Sequence, residues 1–220
     1  MPRSAFAHAV DHIQGALLPL MKGRGFKVRG RSLNRVTEDG LTQVIRILMG
    51  PSDPPGTTHV PGLTANYHGL FSVNLGVYVP EVARYGLSGE ARSWIQDYHC
   101  CIRAGLHEAA GERRDLWWHA RADPVVIEDV RRLLELVGFP FLERFSTRDR
   151  ILAEWAHLSE NQYAASSPPR IVMAIILAVR GQTERARALL ALQVLETRNP
   201  GHPESVRKLA RTLELGPVDD

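Results

Sequence analysis

Cysteine is scarce in this chain of 220 residues, which contains only two cysteines, adjacent at positions 100 and 101. Neighbouring residues of an extended strand point to opposite faces, so Cys100 and Cys101 are poorly placed to bridge one another. Small secreted domains depend on several disulfides, and this chain has no such framework. The cysteine content therefore predicts a reduced protein, which we expect in the cytoplasm.

Long apolar runs are also missing from the sequence. The most apolar stretch, residues 171–179, is about half as long as a membrane-spanning helix needs to be. Near the start of the chain, Asp11, His12 and Gln14 interrupt any apolar run, so the sequence predicts no signal peptide. We expect no membrane partner.

The motifs of common enzymes and cofactor sites are absent as well. The stretch 23–25 contains two glycines but lacks the preceding strand and following helix that a phosphate-binding loop requires. No serine lies in a Gly-x-Ser-x-Gly elbow, and no Cys-x-x-Cys or His-Glu-x-x-His pattern is present. His8 and His12 are four residues apart on a predicted helix, but both lie off its apolar stripe. We therefore expect no cofactor and no metal, and we assign no catalytic residue.

Lysine is rare too, so arginine carries most of the positive charge. Of the 27 basic residues only Lys22, Lys27 and Lys208 are lysines, and the formal net charge is +3. Charge is concentrated in the segment 22–35, which contains Lys22, Arg24, Lys27, Arg29, Arg31 and Arg35. Alternation with apolar residues predicts a strand whose outward face carries Lys27, Arg29 and Arg31. Such a face is either simply solvated or binds phosphate groups or an acidic protein surface.

The stretch 71–79 has the clearest strand pattern of the chain. Apolar residues occupy every second position, and Pro80 ends the pattern because it has no N–H to donate. Asn74 falls on the more polar face, where a structural role in the fold does not explain it. The segment 41–49 is apolar on both faces, with Gln43 and Arg46 as exceptions, and predicts an interior strand. Between these strands, residues 50–69 predict a long loop that is either functional or mobile.

The period of the apolar residues divides the chain into two parts. A first helix precedes segments with strand patterns at about 26–31, 41–49, 71–79, 100–110 and 116–121. From Asp123 onwards the period changes from two to about 3.6, which predicts about five helices. We therefore predict an α+β fold in which residues 1–122 form a helix and an antiparallel sheet of about five strands. Residues 123–220 form an all-helical part that packs against the sheet as one unit.

Thiol, imidazole and indole side chains are dense between residues 99 and 119. Trp117 and Trp118 must point to opposite faces of a strand, so we expect one in the core and the other at a surface or groove. Arg103 lies on the strand predicted before them. A site in which Cys101 or His119 performs the chemistry is the enzymatic alternative, and ordinary packing of buried cysteines is the other.

Several of these stretches together point to a known family. Residues 17–31 read LLPLMKGRGFKVRGR, residues 71–78 read FSVNLGVY, and residues 115–118 read DLWW; between them lie Arg35 and Arg103. In order and spacing, over about residues 10 to 120, the chain resembles the bacterial domain of unknown function 4304 family. Ala104 and Gly105 stand where that family tends to carry a second arginine, and Leu33 stands where it favours phenylalanine. The resemblance implies the fold and a bacterial origin, and it brings no established activity.

These observations favour a non-enzymatic binding protein whose partner is another protein, of the kind that neutralises a toxin. One alternative is binding of nucleic acid or a phosphate ligand through the basic strand, and the other is an enzyme with a site near Cys101 and His119. The candidate binding residues are Lys27, Arg29, Arg31, Arg35, Asn74, Arg103, Trp117 and His119.

Overall fold

An antiparallel sheet dominates the first part of the computed structural model, which describes residues 4–51, 66–87, 92–111, 117–156, 164–165, 168–197 and 199–218. Its strands within these ranges are β1 (Lys27–Arg29), β2 (Ser32–Val36), β3 (Thr42–Met49), β4 (Leu70–Tyr78), β5 (Ile102–Gly105), β6 (Trp118–His119) and β7 (Ala164–Ala165). The order across the sheet is β1-β2-β3-β4-β5-β7, and β6 pairs with β4 beyond the end of β5.

Helices precede and follow most of the sheet. Helix α1 (Ala5–Gly23) begins after Ser4, whose hydroxyl accepts a hydrogen bond of 3.2 Å from the backbone N–H of Ala7. The remaining α-helices within the described residues are α2 (Pro80–Val82), α3 (Leu106–Ala109), α4 (Pro124–Leu133), α5 (Phe139–Arg144), α6 (Arg148–Ala156), α7 (Pro169–Val179), α8 (Thr183–Glu196) and α9 (His202–Thr212). The predicted α+β fold, with an N-terminal helix, an antiparallel sheet and a helical C-terminal part, is confirmed.

Strand β4 has the alternation that its sequence predicts. The side chains of Phe71, Val73, Leu75 and Val77 are at most 1 % exposed. They belong to one buried cluster with residues of α1, α4, α5, α6 and α7, so these helices cover this face of the sheet. We call it the core face. The strand ends before Pro80, which begins α2.

Polar contacts also join the helical layer to the sheet. The side-chain amide of Gln43 donates to the backbone oxygen of Leu142 in α5 at 2.7 Å. The backbone N–H of Arg148 in α6 donates at 2.7 Å to Asp39, in the turn between β2 and β3, and its side chain donates at 2.6 Å to the buried carboxylate of Glu81 in α2. A second buried cluster holds α7, α8 and α9 together. The division of the chain at residue 122 stays a prediction.

The basic segment forms a hairpin rather than a single strand. Gly30, with a φ of 61°, and Arg31 form a two-residue turn between β1 and β2, and glycine suits this position because it adopts positive φ without strain. The register pairs Lys27 with Asn34 and Arg29 with Ser32. The prediction that Arg31 shares a strand face with Lys27 and Arg29 is therefore wrong, because the turn interrupts the alternation.

The strand predicted at 100–110 is shorter than expected. Strand β5 ends at Gly105, and α3 follows at once. The carboxylate of Glu108 accepts a hydrogen bond of 2.9 Å from the backbone N–H of Gly105, which favours a helical turn at this point. The last predicted strand, 116–121, is reduced to β6 in the described residues and pairs with β4.

The segment from 92 to 101 folds back over the other face of the sheet, which we call the polar face. Asn34 donates to the backbone oxygen of Ile95 at 2.9 Å and accepts from its N–H at 3.1 Å. Ile95 also packs with Val44 and Cys100 in a small buried cluster. A Cβ atom at Gly76 would lie 2.6 Å from Cys100 Sγ, so only glycine allows this approach.

Two further predictions concern a loop and the membrane. Most of the loop predicted at 50–69 lies outside the described residues, which stop at 51 and resume at 66. Among the helices that the structure describes, none has both the length and the apolar character needed to cross a bilayer.

Candidate functional site

A row of facing residues crosses the polar face of the sheet from β2 to β5. The register places Ser32 opposite Arg46, Arg46 opposite Asn74, and Asn74 opposite Gly105. Directly paired residues of antiparallel strands share a face, so these side chains lie on the same surface. The 92–101 segment covers the middle of this row and leaves a cavity on either side of it.

Asp97 anchors the covering segment to this row. Its side chain is buried, and its two carboxylate oxygens accept hydrogen bonds from Arg46 at 2.7 Å and from Asn74 at 2.8 Å. Burial by itself favours the neutral acid. The hydrogen bonds from Arg46 and Asn74, with the positive charges of Arg46 and Arg103, outweigh burial and hold the pKa of Asp97 below its ordinary value. Asp97 is therefore a fixed negative charge between the two cavities.

The first cavity, the arginine cleft, lies on the side of the hairpin turn. It has a volume of about 690 Å³ and is lined by Arg29, Arg31, Arg46, Arg92, Trp94 and Gln96, with no acidic residue among its described lining residues. Two of its arginines are held by acids outside the lining. Arg31 donates to Asp11 of α1 at 2.8 Å, and Arg46 donates to Asp97.

The second cavity, the sheet-edge groove, lies on the opposite side of Asp97. It has a volume of about 230 Å³, and its polar lining includes Ser72, Asn74, Asp97, Arg103, Glu108 and Trp117. The indole ring of Trp117 is half-buried and lies 4.6 Å, centroid to centroid, from the ring of Tyr67. The residues Asn74, Arg103 and Trp117, which the sequence suggested separately, are thus brought together in one groove.

The other basic candidates have different positions. Lys27 is exposed on β1 beside the arginine cleft but does not line it. Arg35 is on the core face, where its Nε donates to Gln43 at 2.8 Å and its guanidinium pairs with Glu143 of α5. Because the two-residue turn shifts the alternation, Arg35 contributes to packing between layers and does not extend the basic surface.

The structure separates Cys101 from His119. Ile102, next to Cys101, is opposite Val77 on β4, whereas His119 is opposite Leu70. At about 3.3 Å per residue these positions are about 23 Å apart. Burial raises the pKa of the Cys101 thiol to about 12, so it stays protonated. His119 is exposed on β6, and the site proposed around these two residues is not formed.

The two tryptophans divide as their positions predicted. Trp118 is buried against Phe71, with ring centroids 5.5 Å apart, and its indole N–H donates to Asp129 at 2.9 Å. Its ring also lies against His107. Trp117 faces the sheet-edge groove instead.

The residues of the two cavities that sequence reasoning missed include Arg46, Arg92, Trp94 and Asp97. Arg46 could have been found from the sequence, because it is a charged residue in the otherwise apolar strand pattern of residues 41–49. The other three lie between β4 and β5, in a stretch with no regular period. Their positions follow only from the way this segment folds over the sheet.

Neither a metal centre nor a known relative guides the assignment further. In the described ranges, no three side chains of His, Cys, Asp or Glu come together in a way that could hold a metal ion. No family model matches the chain, and no curated protein and no solved structure matches it either. The resemblance to the domain of unknown function 4304 family therefore stays a prediction based on its residue patterns.

Proposed function

We propose that this protein is a non-enzymatic binding protein that recognises an acidic surface of another protein through the arginine cleft. The observation that carries the proposal is the set of four arginines, Arg29, Arg31, Arg46 and Arg92, around one concave surface that has no acidic residue among its described lining residues. Arginine is well suited to pair with carboxylates because its planar guanidinium donates two parallel hydrogen bonds.

Preorganisation supports this function. Arg31 is held by Asp11 and by the backbone oxygen of Ala7 at 3.1 Å, and Arg46 is held by Asp97. A side chain that is already ordered loses less conformational freedom when a partner binds. These two guanidinium groups therefore present donors to a partner at a reduced entropic cost.

The aromatic residues beside the cleft favour a protein partner. Tyr98 is 55 % exposed, and the guanidinium carbon of Arg46 lies 5.3 Å from the centre of its ring. Trp94 lines the cleft itself. Arginine, tyrosine and tryptophan are the residue types that contribute most to binding energy at protein interfaces. The buried, unbridged thiols of Cys100 and Cys101 are consistent with a reducing compartment, and we assign the interaction to the cytoplasm.

Nucleic acid or another phosphate ligand is the second candidate for the same cleft. The concentration of positive charge favours it, because phosphate groups also pair with arginine. If this candidate is right, the affinity of the cleft for the phosphate ligand falls steeply as the salt concentration rises. The slope is set by the number of phosphates that the arginines neutralise.

A variant that removes charge only from the cleft tests the proposal. The double substitution Arg29→Ala and Arg92→Ala removes two exposed arginines of the lining. The matched control is Arg185→Ala with Arg211→Ala, which removes the same charge from exposed positions on α8 and α9. Immobilised wild type and both variants are exposed to lysate of the source cells, and retained proteins are identified by mass spectrometry. Each retained protein is then purified and titrated against all three.

The expected result is an acidic protein that binds wild type and the control but binds the cleft variant at least about tenfold more weakly. Equal binding of that protein to the cleft variant, or no retained protein at all, contradicts the proposal. Titration with duplex DNA, single-stranded DNA and RNA at low and high salt tests the second candidate. Binding that is steeply salt-dependent and lost in the cleft variant would favour it.

A further inference from the structure

The sheet-edge groove exists because the edge of β4 loses its partner strand for a short distance. Strand β5 ends with Gly105 opposite Asn74, and pairing resumes in β6 with Trp118 opposite Phe71. An unbroken strand would bring residue 108 opposite Phe71, so the chain between Gly105 and Trp118 is ten residues longer than an unbroken strand requires. Helix α3 lies in this interval, and a concave space is present beside Ser72 and Asn74.

Arg103 gives this groove a positive group that acts on Asp97 only through its charge. The residue is half-buried and lines the groove, yet its guanidinium makes no hydrogen bond or ion pair within the described ranges. Asp97 is nearby, but its two oxygens already accept from Arg46 and Asn74. Arginine is seldom left partly buried without a hydrogen-bonding partner, so the geometry favours a ligand with an anionic group.

Two carboxylates limit the kind of anion that can bind. Asp97 and Glu108 both line the groove, so a dianion such as phosphate would be repelled by both carboxylates. A carboxylate carries a single charge and matches the fork of one guanidinium. Glu108 is exposed at the mouth of the groove, and one of its oxygens accepts from Gly105. Its other oxygen remains suited to a protonated amine.

The remaining lining and the size of the groove restrict the ligand further. Leu48 and the ring of Trp117 provide an apolar wall, and Ser72 provides a hydroxyl. The volume of about 230 Å³ is below the range of roughly 300–1,000 Å³ that is usual for drug-sized ligands. A nucleotide or a folded peptide segment is therefore too large, whereas a single small molecule fits.

We infer that the sheet-edge groove binds a small ligand that carries both a carboxylate and a protonated amine, which is the chemistry of a free α-amino acid. Arg103 pairs with the carboxylate, Glu108 pairs with the amine, and the rest of the ligand lies against Trp117. The site is separate from the arginine cleft, since Asp97 and its hydrogen bonds stand between the two.

Calorimetric titration of the full chain with a panel of free amino acids tests this inference. Acetate, propylamine and inorganic phosphate serve as comparison ligands. We expect at least one amino acid to bind more tightly than all three, because only a zwitterion satisfies Arg103 and Glu108 together. Binding should also change the tryptophan fluorescence of the wild type and not that of Trp117→Phe.

Substitutions in the groove give each pairing its own readout. Arg103→Ala should weaken amino-acid binding at least about tenfold, and Arg103→Lys should weaken it less, because it keeps the charge but loses the fork. Glu108→Gln should weaken binding of the amino acid and leave that of acetate unchanged or stronger. The control Arg29→Ala, in the arginine cleft, should bind like the wild type. Circular dichroism and thermal melting verify that each variant is folded.

Three outcomes would overturn the inference. These are no binding of any amino acid by the wild type, undiminished binding by folded Arg103→Ala or Arg103→Lys, and tighter binding of inorganic phosphate than of any amino acid. None of them affects the arginine cleft, whose partner is tested with different variants.

Discussion

The two faces of the central sheet are built in different ways. The core face is a continuous apolar surface, in which Phe71, Val73, Leu75 and Val77 pack against several helices. The polar face is covered by one segment, which is held by hydrogen bonds of Asn34 and Asp97, by the close approach at Gly76 and by a small buried cluster. Both cavities open on the polar face. A face held by a few specific contacts can leave space beside them, whereas a face held by burial must be filled.

The largest expected effect is on the core face. Phe71→Ala removes a fully buried ring that stacks on Trp118, and we expect it to lower the free energy of unfolding by about 3–5 kcal/mol. Chemical denaturation with matched m-values measures this change. The control is Val36→Ala, because Val36 is 69 % exposed and its truncation should cost less than about 0.5 kcal/mol. An equal loss in the free energy of unfolding of Phe71→Ala and Val36→Ala would contradict the prediction that the core face contributes more to stability than the exposed surface.

An intermediate effect is expected where the covering segment approaches the sheet most closely. Gly76→Ala places a methyl group 2.6 Å from Cys100 Sγ, and such overpacking costs about 1–3 kcal/mol. Adding Cys100→Ala removes the sulfur and should restore part of the loss, which a double-mutant cycle measures as coupling. By contrast, Gly15→Ala in α1 meets no atom within 4 Å and should stabilise by about 0.5–1 kcal/mol. If Gly76→Ala lowers the free energy of unfolding but shows no coupling to Cys100→Ala, the contact between Gly76 and Cys100 does not hold the 92–101 segment on the sheet.

An effect of comparable size, with the most specific signature, is expected from Asp97→Asn. The variant keeps the shape of the side chain but loses its charge, and we expect a loss of about 1–3 kcal/mol near neutral pH. The pKa of Asp97 in the folded protein lies below its ordinary value of 3.8. Its carboxylate therefore contributes stability above that pH, and the contribution disappears as the pH falls through the folded pKa.

The pH dependence of unfolding checks this prediction. Stability of the wild type should fall more steeply than that of Asp97→Asn between about pH 5 and pH 2, so the two curves converge in acid. Glu184→Gln on the exposed surface of α8 is the control and should follow the wild type. Parallel curves for wild type and Asp97→Asn would mean that the network around Asp97 does not stabilise the covering segment.

Sequence patterns predicted the core face well because period and burial are directly related. The alternation in 71–79 and the helical period after Asp123 both required an apolar face to be buried, and both elements are observed. The basic row was predicted less well. A turn of two residues moved Arg31 out of the strand and shifted Arg35 to the core face, and a turn that short leaves only Gly30 as its signal.

Some residues of the candidate site were selected from the sequence, and others were found only in the structure. Asn74 was selected because the fold did not explain it, whereas Arg103 and Trp117 were selected on other grounds, and the three residues line a single groove. Asp97, Arg92 and Trp94 were missed, because an irregular segment carries no period from which its path can be deduced. Their contribution depends on contacts with strands that are distant along the chain.

By itself, the sequence determined the α+β class, the core face of β4 and the helical nature of the C-terminal part. These follow from local periodicity and hydrophobic burial, which act at every position of an element. The tertiary structure alone decided that the 92–101 segment covers the polar face and that Asp97 separates an arginine cleft from a sheet-edge groove. Those features depend on hydrogen bonds and ion pairs between residues far apart in sequence, and such pairings leave no periodic trace in the chain.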